Sequence, residues 1–173
     1  MNKQIRNGLG CVLLIVLDQL VKLWVLARLK GQEPIVLIKD VLEFRYIENR
    51  GAAFGILQNQ RVFFLVITVA ILAFLFVVSK KIPEEKRYLW LRLCMYFIAA
   101  GAVGNMIDRM FRHYVVDFIY FKLIDFPVFN VADIYVTCSA FALAYLIMFY
   151  YKEEELNRIV GKIKGKEQES EDE

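Results

Sequence analysis

The run Val62-Phe63-Phe64-Leu65-Val66-Ile67-Thr68-Val69-Ala70-Ile71-Leu72-Ala73-Phe74-Leu75-Phe76-Val77-Val78 contains a single polar side chain, that of Thr68, and is bounded by Arg61 on one side and Ser79, Lys80 and Lys81 on the other. Crossing a hydrocarbon core of about 30 Å takes about 20 apolar residues, with about 17 as the lower limit. This stretch is therefore a membrane span, and it decides how the rest of the chain is read. Three further segments fit the same template with interruptions. Gly8 to Leu29 is broken by Asp18, Gln19, Lys22 and Arg28, Tyr88 to Ile107 by Arg92 and Asn105, and Val131 to Tyr151 by Asp133, Thr137 and Ser139.

The composition agrees. Of 173 residues 58% are hydrophobic and 24% charged, with a mean hydropathy of +0.45, where a soluble domain has roughly 45–50% apolar residues. Disorder, collagen and coiled coil are excluded. The expected fold is a membrane all-α bundle with a small β element. Its four transmembrane helices lie at about 8–29, 62–78, 88–107 and 131–151, in one integral-membrane domain over 1–156 followed by a charged cytoplasmic tail, 157–173. The first helix is read as retained, because Asp18 and Gln19 stand where a signal-peptide cleavage site would need small residues.

Orientation follows from the basic residues. With both termini inside, the inner segments hold Lys3, Arg6, Lys80, Lys81, Lys86, Arg87, Lys152, Arg158, Lys162, Lys164 and Lys166. The longer outer connections hold Lys30, Lys39, Arg45, Arg50, Arg61, Arg109, Arg112 and Lys122, so the positive-inside rule favours cytoplasmic termini. The net charge of +3 then reflects topology and does not indicate a nucleic-acid partner. Cys11, Cys94 and Cys138 all lie in apolar helices and read as small core residues. His113 is the single histidine, so a zinc protease of the HExxH kind is excluded and no metal is expected.

Between the first two helices, Leu42-Glu43-Phe44-Arg45-Tyr46 alternates apolar and charged side chains, the strand period. A small extracytoplasmic antiparallel sheet between helices one and two is expected, lying on the outer membrane surface. The Gly-bounded loop Asn49 to Gly55 follows it.

Polar residues inside apolar helices are costly and carry the functional reading by default. Asp18 and Lys22 are spaced i, i+4, near mid-membrane, where a structural ion pair that fixes helix packing and a direct chemical role both stay open. Gly101, Asn105 and Asp108 share one face of helix three, with Gly104 beside them and Arg109 following. Asp133 and Thr137 share a face of helix four, with Asn130 one turn before. With this topology Asn105, Asp108, Arg109, Asp117, Asn130 and Asp133 converge at one depth, at the outer surface. Two close carboxylates cannot both ionise easily, so one can activate water while the other polarises a carbonyl. Charge spacing alone does not choose the pair from Asp108, Asp117, Asp125 and Asp133.

Five strings, in order, carry a resemblance. Asp18-Gln19-Leu20-Val21-Lys22, Asn49-Arg50-Gly51-Ala52-Ala53-Phe54-Gly55, Gly101-Ala102-Val103-Gly104-Asn105-Met106-Ile107-Asp108-Arg109, Val115-Val116-Asp117-Phe118 and Phe129-Asn130-Val131-Ala132-Asp133 together closely resemble the bacterial lipoprotein signal peptidases, or signal peptidase II. The resemblance implies a multi-pass aspartyl endopeptidase of the bacterial cytoplasmic (inner) membrane, with cytoplasmic termini and its active site at the extracytoplasmic face. Such an enzyme cuts prolipoproteins just before a cysteine carrying diacylglycerol, and needs no cofactor. By the same resemblance the catalytic dyad falls on Asp117 and Asp133. Asn105, Asp108 and Arg109 support the site; Asn49, Gly51, Phe129, Asn130 and Ala132 lie near the substrate or the dyad; Asp18 and Lys22 are structural. The sheet would cradle the substrate. Ile134 stands where many members have Ser, and the connection from Asp117 to Asp133 is somewhat short. The expected partners are diacylglyceryl prolipoproteins and membrane lipid, with the chain a monomer. The competing class is a small non-enzymatic carrier relaying protons through Asp18, Lys22 and Asp133, which would need polar residues through the full depth of the bundle.

Overall fold

A computed structural model describes residues 3–51, 57–159 and 161. Among the described residues four helices are long and apolar enough to cross a membrane: α1 (Lys3–Leu29), α2 (Arg61–Ser79), α3 (Leu89–Phe111) and α4 (Val131–Tyr145), the last closed by one π-helical turn over Leu146–Tyr150. Helix α3 is the centre of the bundle, packing against the other three. Small residues make this possible. A Cβ on Gly101 would collide with the Ala132 carbonyl oxygen of α4 and lie 2.7 Å from the Val136 side chain, and one on Gly104 would lie 2.5 Å from Asp18 Oδ2 of α1. Helix α2 buries no residue, as a span facing lipid on most sides should.

A three-stranded antiparallel sheet, in the order β1-β2-β3, caps one end of the bundle: β1 (Ile35–Ile38), β2 (Leu42–Asn49) and β3 (Val115–Phe121). The sheet expected between the first two helices is thus there, but it is not confined to them. Its third strand comes from the connection between α3 and α4, and it carries Asp117. This strand hides from period-2 reading because Val115, Val116, Asp117 and Phe118 are all buried, so both of its faces are covered and its side chains do not alternate. Val116 and Phe118 pack on Val25 and Leu29, the last turns of α1, which run on past the bundle to support the sheet.

The helix limits move for a related reason. Helix α3 continues to Phe111, past the expected end at 107, because Asp108 is buried with partners and does not mark a surface. It stops where His113 takes a left-handed conformation, φ 70°. At the other end of the bundle Ile82, Tyr88, Leu91, Cys94, Met95, Leu146 and Tyr151 form a second core with Ile159. Residues 153–159 are helical, so the expected boundary at 157 falls within a helix that packs on this core. The Ala52-to-Gly55 part of the outer loop and the tail from residue 162 lie outside the described residues.

Candidate active site

Three elements meet where the sheet joins the bundle. Register places the first. Strand β2 carries one residue more than β3 between its pairs Phe44↔Ile119 and Ile47↔Asp117, and pairing then runs through Glu48↔Val116 to Asn49↔Val115. Asn49 and Asp117 are therefore diagonal neighbours on one face, and Asn49 Nδ2 donates to Asp117 Oδ2 at 2.8 Å. Asn49 Oδ1 accepts the Gly51 N–H at 2.9 Å, which fixes the amide and the start of the loop.

The second element is the strap before α4. Phe129 folds back on β3, accepting from Phe118 N and Ile119 N and donating to the Ile119 carbonyl. This brings Asn130 against Asp117, where Asn130 Nδ2 donates to Asp117 Oδ1 at 2.6 Å. Asn130 is also the N-cap of α4. Its Oδ1 accepts the Asp133 N–H at 3.0 Å while Asp133 Oδ2 accepts the Asn130 N–H at 3.1 Å, a reciprocal cap that fixes the carboxylate at the helix start.

The third element is α3, from which Asn105 Nδ2 donates to Asp133 Oδ1 at 2.8 Å. Asp117 and Asp133 line one cleft of about 350 Å³ together with Asn49, Gly51, Arg109 and Phe129; Phe64 of α2 and Thr137 of α4 line it as well. The Arg109 guanidinium lies 4.6 Å over the Phe64 ring and donates to the Gly51 carbonyl at 3.4 Å.

Of the four candidate acids, only these two reach the cleft. Asp108 is committed to an ion network: its Oδ2 lies 3.0 Å from Lys22 Nζ and accepts the Val116 N–H at 3.1 Å, and its Oδ1 pairs with Arg112. Asp125 is exposed, accepting from the Tyr120 hydroxyl at 2.6 Å. Burial, and then the negative charge of Asp133, push the Asp117 carboxyl up to about 7, against the pull of the Asn130 and Asn49 amides and of the Lys22 charge. A buried carboxyl kept protonated near neutrality beside a second carboxylate is an acid and a base within one cleft.

Ala132 does not line the cleft; it is buried, and its N–H donates to Asp18 Oδ1 at 3.1 Å. Asp18 and Lys22, 3.0 Å apart and both buried, sit level with the last turns of α3 and the first of α4. Two residues of this network escaped sequence reading. Gln19 Nε2 donates to Asp18 Oδ2 and to the Gly104 carbonyl, both at 3.1 Å, and Arg112 donates to Gln19 Oε1 at 3.1 Å. The i, i+4 spacing of Asp108 and Arg112 was the available signal, concealed by ending the helix too early.

Residues 11–149 match the family model of signal peptidase (SPase) II. The lipoprotein signal peptidase of Clostridium tetani (strain Massachusetts / E88) is 44% identical over 149 residues, covering 83% of this chain and 90% of that protein. That of Halothermothrix orenii is 41% identical over 145 residues, covering 84% and 94%. A solved bacterial membrane enzyme structure, obtained by the in meso method at 2.3 Å resolution, superposes with a TM-score of 0.73 at 30% identity, covering 86% of this chain and 92% of that one.

Proposed function

Because the chain belongs to the signal peptidase II family, we propose that it removes signal peptides from prolipoproteins as an aspartic endopeptidase whose catalytic pair is Asp117 and Asp133. Its substrate is the diacylglyceryl form of the precursor, cut on the N-terminal side of the lipidated cysteine. The observation that carries the reading is that these two acids line one cleft, each held by a carboxamide, with Asp117 pushed up to about 7.

The roles are divided as follows. Asp133, with Oδ1 held by the Asn105 amide and Oδ2 by the Asn130 N–H, takes the proton of an attacking water. Asp117, which keeps its proton up to about 7, donates it to the scissile carbonyl oxygen as that oxygen gains charge. The tetrahedral diol then collapses: the C–N bond breaks, the departing amine takes the proton gathered by Asp133, and Asp117 recovers its own.

In this reading both termini are cytoplasmic and the cleft opens at the extracytoplasmic face of the inner membrane, supported by the distribution of Lys and Arg. The carrier reading is not favoured. No Asp, Glu, Lys or Arg occurs in 62–78 or in 134–151, so a charged relay through the bundle has nothing to run on there.

The test is cleavage by purified protein in detergent with added lipid, with the new N-terminus read by mass spectrometry. The diacylglyceryl precursor is cut before its cysteine and the unmodified precursor is not. Asp117→Asn and Asp133→Asn each abolish cutting while remaining monodisperse; full cleavage by either removes that residue from the pair.

A further inference from the structure

The steps above make no use of Lys22, a lysine with no exposed side-chain surface. Its ammonium lies 3.0 Å from Asp18 Oδ2 and 3.0 Å from Asp108 Oδ2. Those pairs would complete a purely structural role, since a buried cation needs compensation. The third contact is of another kind: Lys22 Nζ donates to Asn105 Oδ1 at 2.9 Å.

An ammonium has donors only, whereas a carboxamide has an accepting oxygen at one end and a donating NH₂ at the other. Lys22 therefore decides which way Asn105 faces. With Oδ1 turned to the ammonium, Nδ2 is left aimed at Asp133 Oδ1, 2.8 Å away. The flipped amide would set NH₂ against the ammonium and oxygen against the carboxylate, so both contacts become repulsive. The same Oδ1 accepts Asn130 Nδ2 at 3.2 Å, and that NH₂ also donates to Asp117 Oδ1 at 2.6 Å. One cation on α1 thus sets the sense of Asn105, while Asn130, whose own sense its cap on α4 fixes, leans on the same Oδ1.

We propose that Lys22 is a positioning residue for the dyad: it locks Asn105 in the orientation that donates to Asp133, and its charge biases the proton that Asp133 and Asp117 share. The proposal deepens the reading of Asp117 and Asp133 as the catalytic pair and rests on it.

The test starts in an Asp18→Asn background, because removing Lys22 alone would strand two buried carboxylates. Asparagine at 18 can still accept the Ala132 N–H, and Asp108 keeps Arg112 and Val116. Adding Lys22→Met should lower kcat by ~10- to 100-fold, the worth of charge-assisted hydrogen bonds, and change KM by less than about 2-fold. The alkaline limb of the kcat profile should move up by about one pH unit, because losing a nearby positive charge disfavours carboxylates. In an Asn105→Ala background the positional loss should not recur, so the same Lys22 change should cost at most about 2-fold further in kcat while the limb still moves up. Multiplicative losses in that cycle, an unmoved limb, or a change in KM with kcat intact would overturn the proposal. Should Lys22→Met fail to fold, Lys22→Gln in the same background keeps a donor without the charge, and its limb must still move up; an unmoved limb there overturns the proposal equally. Asp117→Asn and Asp133→Asn are assayed alongside. If either cleaves, the dyad reading falls; if both are inactive and the Lys22 variants behave as the background, only this inference falls.

Discussion

Asp108 Oδ2 accepts the Val116 N–H at 3.1 Å, so a carboxylate near the end of α3 holds the strand residue immediately before Asp117. The same carboxylate neutralises Lys22 and Arg112. Asp108→Ala should therefore cost about 3–5 kcal/mol, the scale for stranding a buried charge, seen as a large fall in the thermal midpoint in detergent together with loss of cleavage. Asp108→Asn keeps an acceptor for Val116 and should unfold between that variant and the parent protein.

Close approach of helices sets the second expectation. A Cβ on Gly101 meets the fixed backbone carbonyl of Ala132, and one on Gly104 meets an Asp18 carboxylate tied to Ala132, Gln19 and Lys22. Neither neighbour can swing away. Gly101→Ala and Gly104→Ala should each destabilise by at least about 2 kcal/mol, towards the upper part of the range for overpacking. Gly101→Ala should also reduce cleavage out of proportion to its stability, because the displaced residue adjoins Asp133. Thermal midpoints and initial rates on the same preparations check both.

The Asp117 carboxyl, pushed up to about 7 by burial and by Asp133, gives a pH dependence with a definite sign. Its folded form prefers the proton. Its contribution to stability is complete below the ordinary carboxylate range and is lost as pH rises towards about 7. Cleavage should decline above about 7, as the acid is consumed. Infrared difference spectra against Asp117→Asn should show a protonated carboxyl band disappearing around that pH. In Asp133→Asn, which removes the neighbouring negative charge, the band should disappear at lower pH.

Asn49 and Asn130 both donate to Asp117. Removing either amide takes a hydrogen bond from the charged form, so the Asp117 titration should move up in Asn49→Ala and in Asn130→Ala. Cleavage should drop by roughly 10- to 100-fold in each, as expected for hydrogen bonds to a charged group. Asn130→Ala should in addition lower the thermal midpoint, because it removes the cap of α4, worth about 1 kcal/mol. Asn49 caps no helix and should leave the midpoint nearly unchanged.

The spans were legible in sequence because lipid-facing residues obey a simple rule of length and polarity, and Val62 to Val78 obeys it almost without interruption. The strand character of Leu42 to Tyr46 was legible for the analogous reason that its two faces differ. Strand β3 was not, because burial on both sides erases the alternation. The end of α3 was misplaced because Asp108 and Arg112 look like surface charges in one dimension and become partners only when helix geometry is imposed. Composition and spacing brought the acids to one end of the bundle but could not choose among four. The choice of Asp117 and Asp133 came from resemblance, and its geometric support depends on a β2 register and a strap at Phe129 that no local pattern announces.

The two acids belong to different bodies. Asp117 rides on the sheet and Asp133 on the helical bundle, and the seam between sheet and α1 is closed by Val25, Leu29, Val116 and Phe118. An inhibitor of this molecule therefore need not imitate a peptide or enter the cleft. On the proposed reading of the two acids, an apolar ligand entering that seam would act on cleavage through the seating of the sheet, without touching a residue of the cleft.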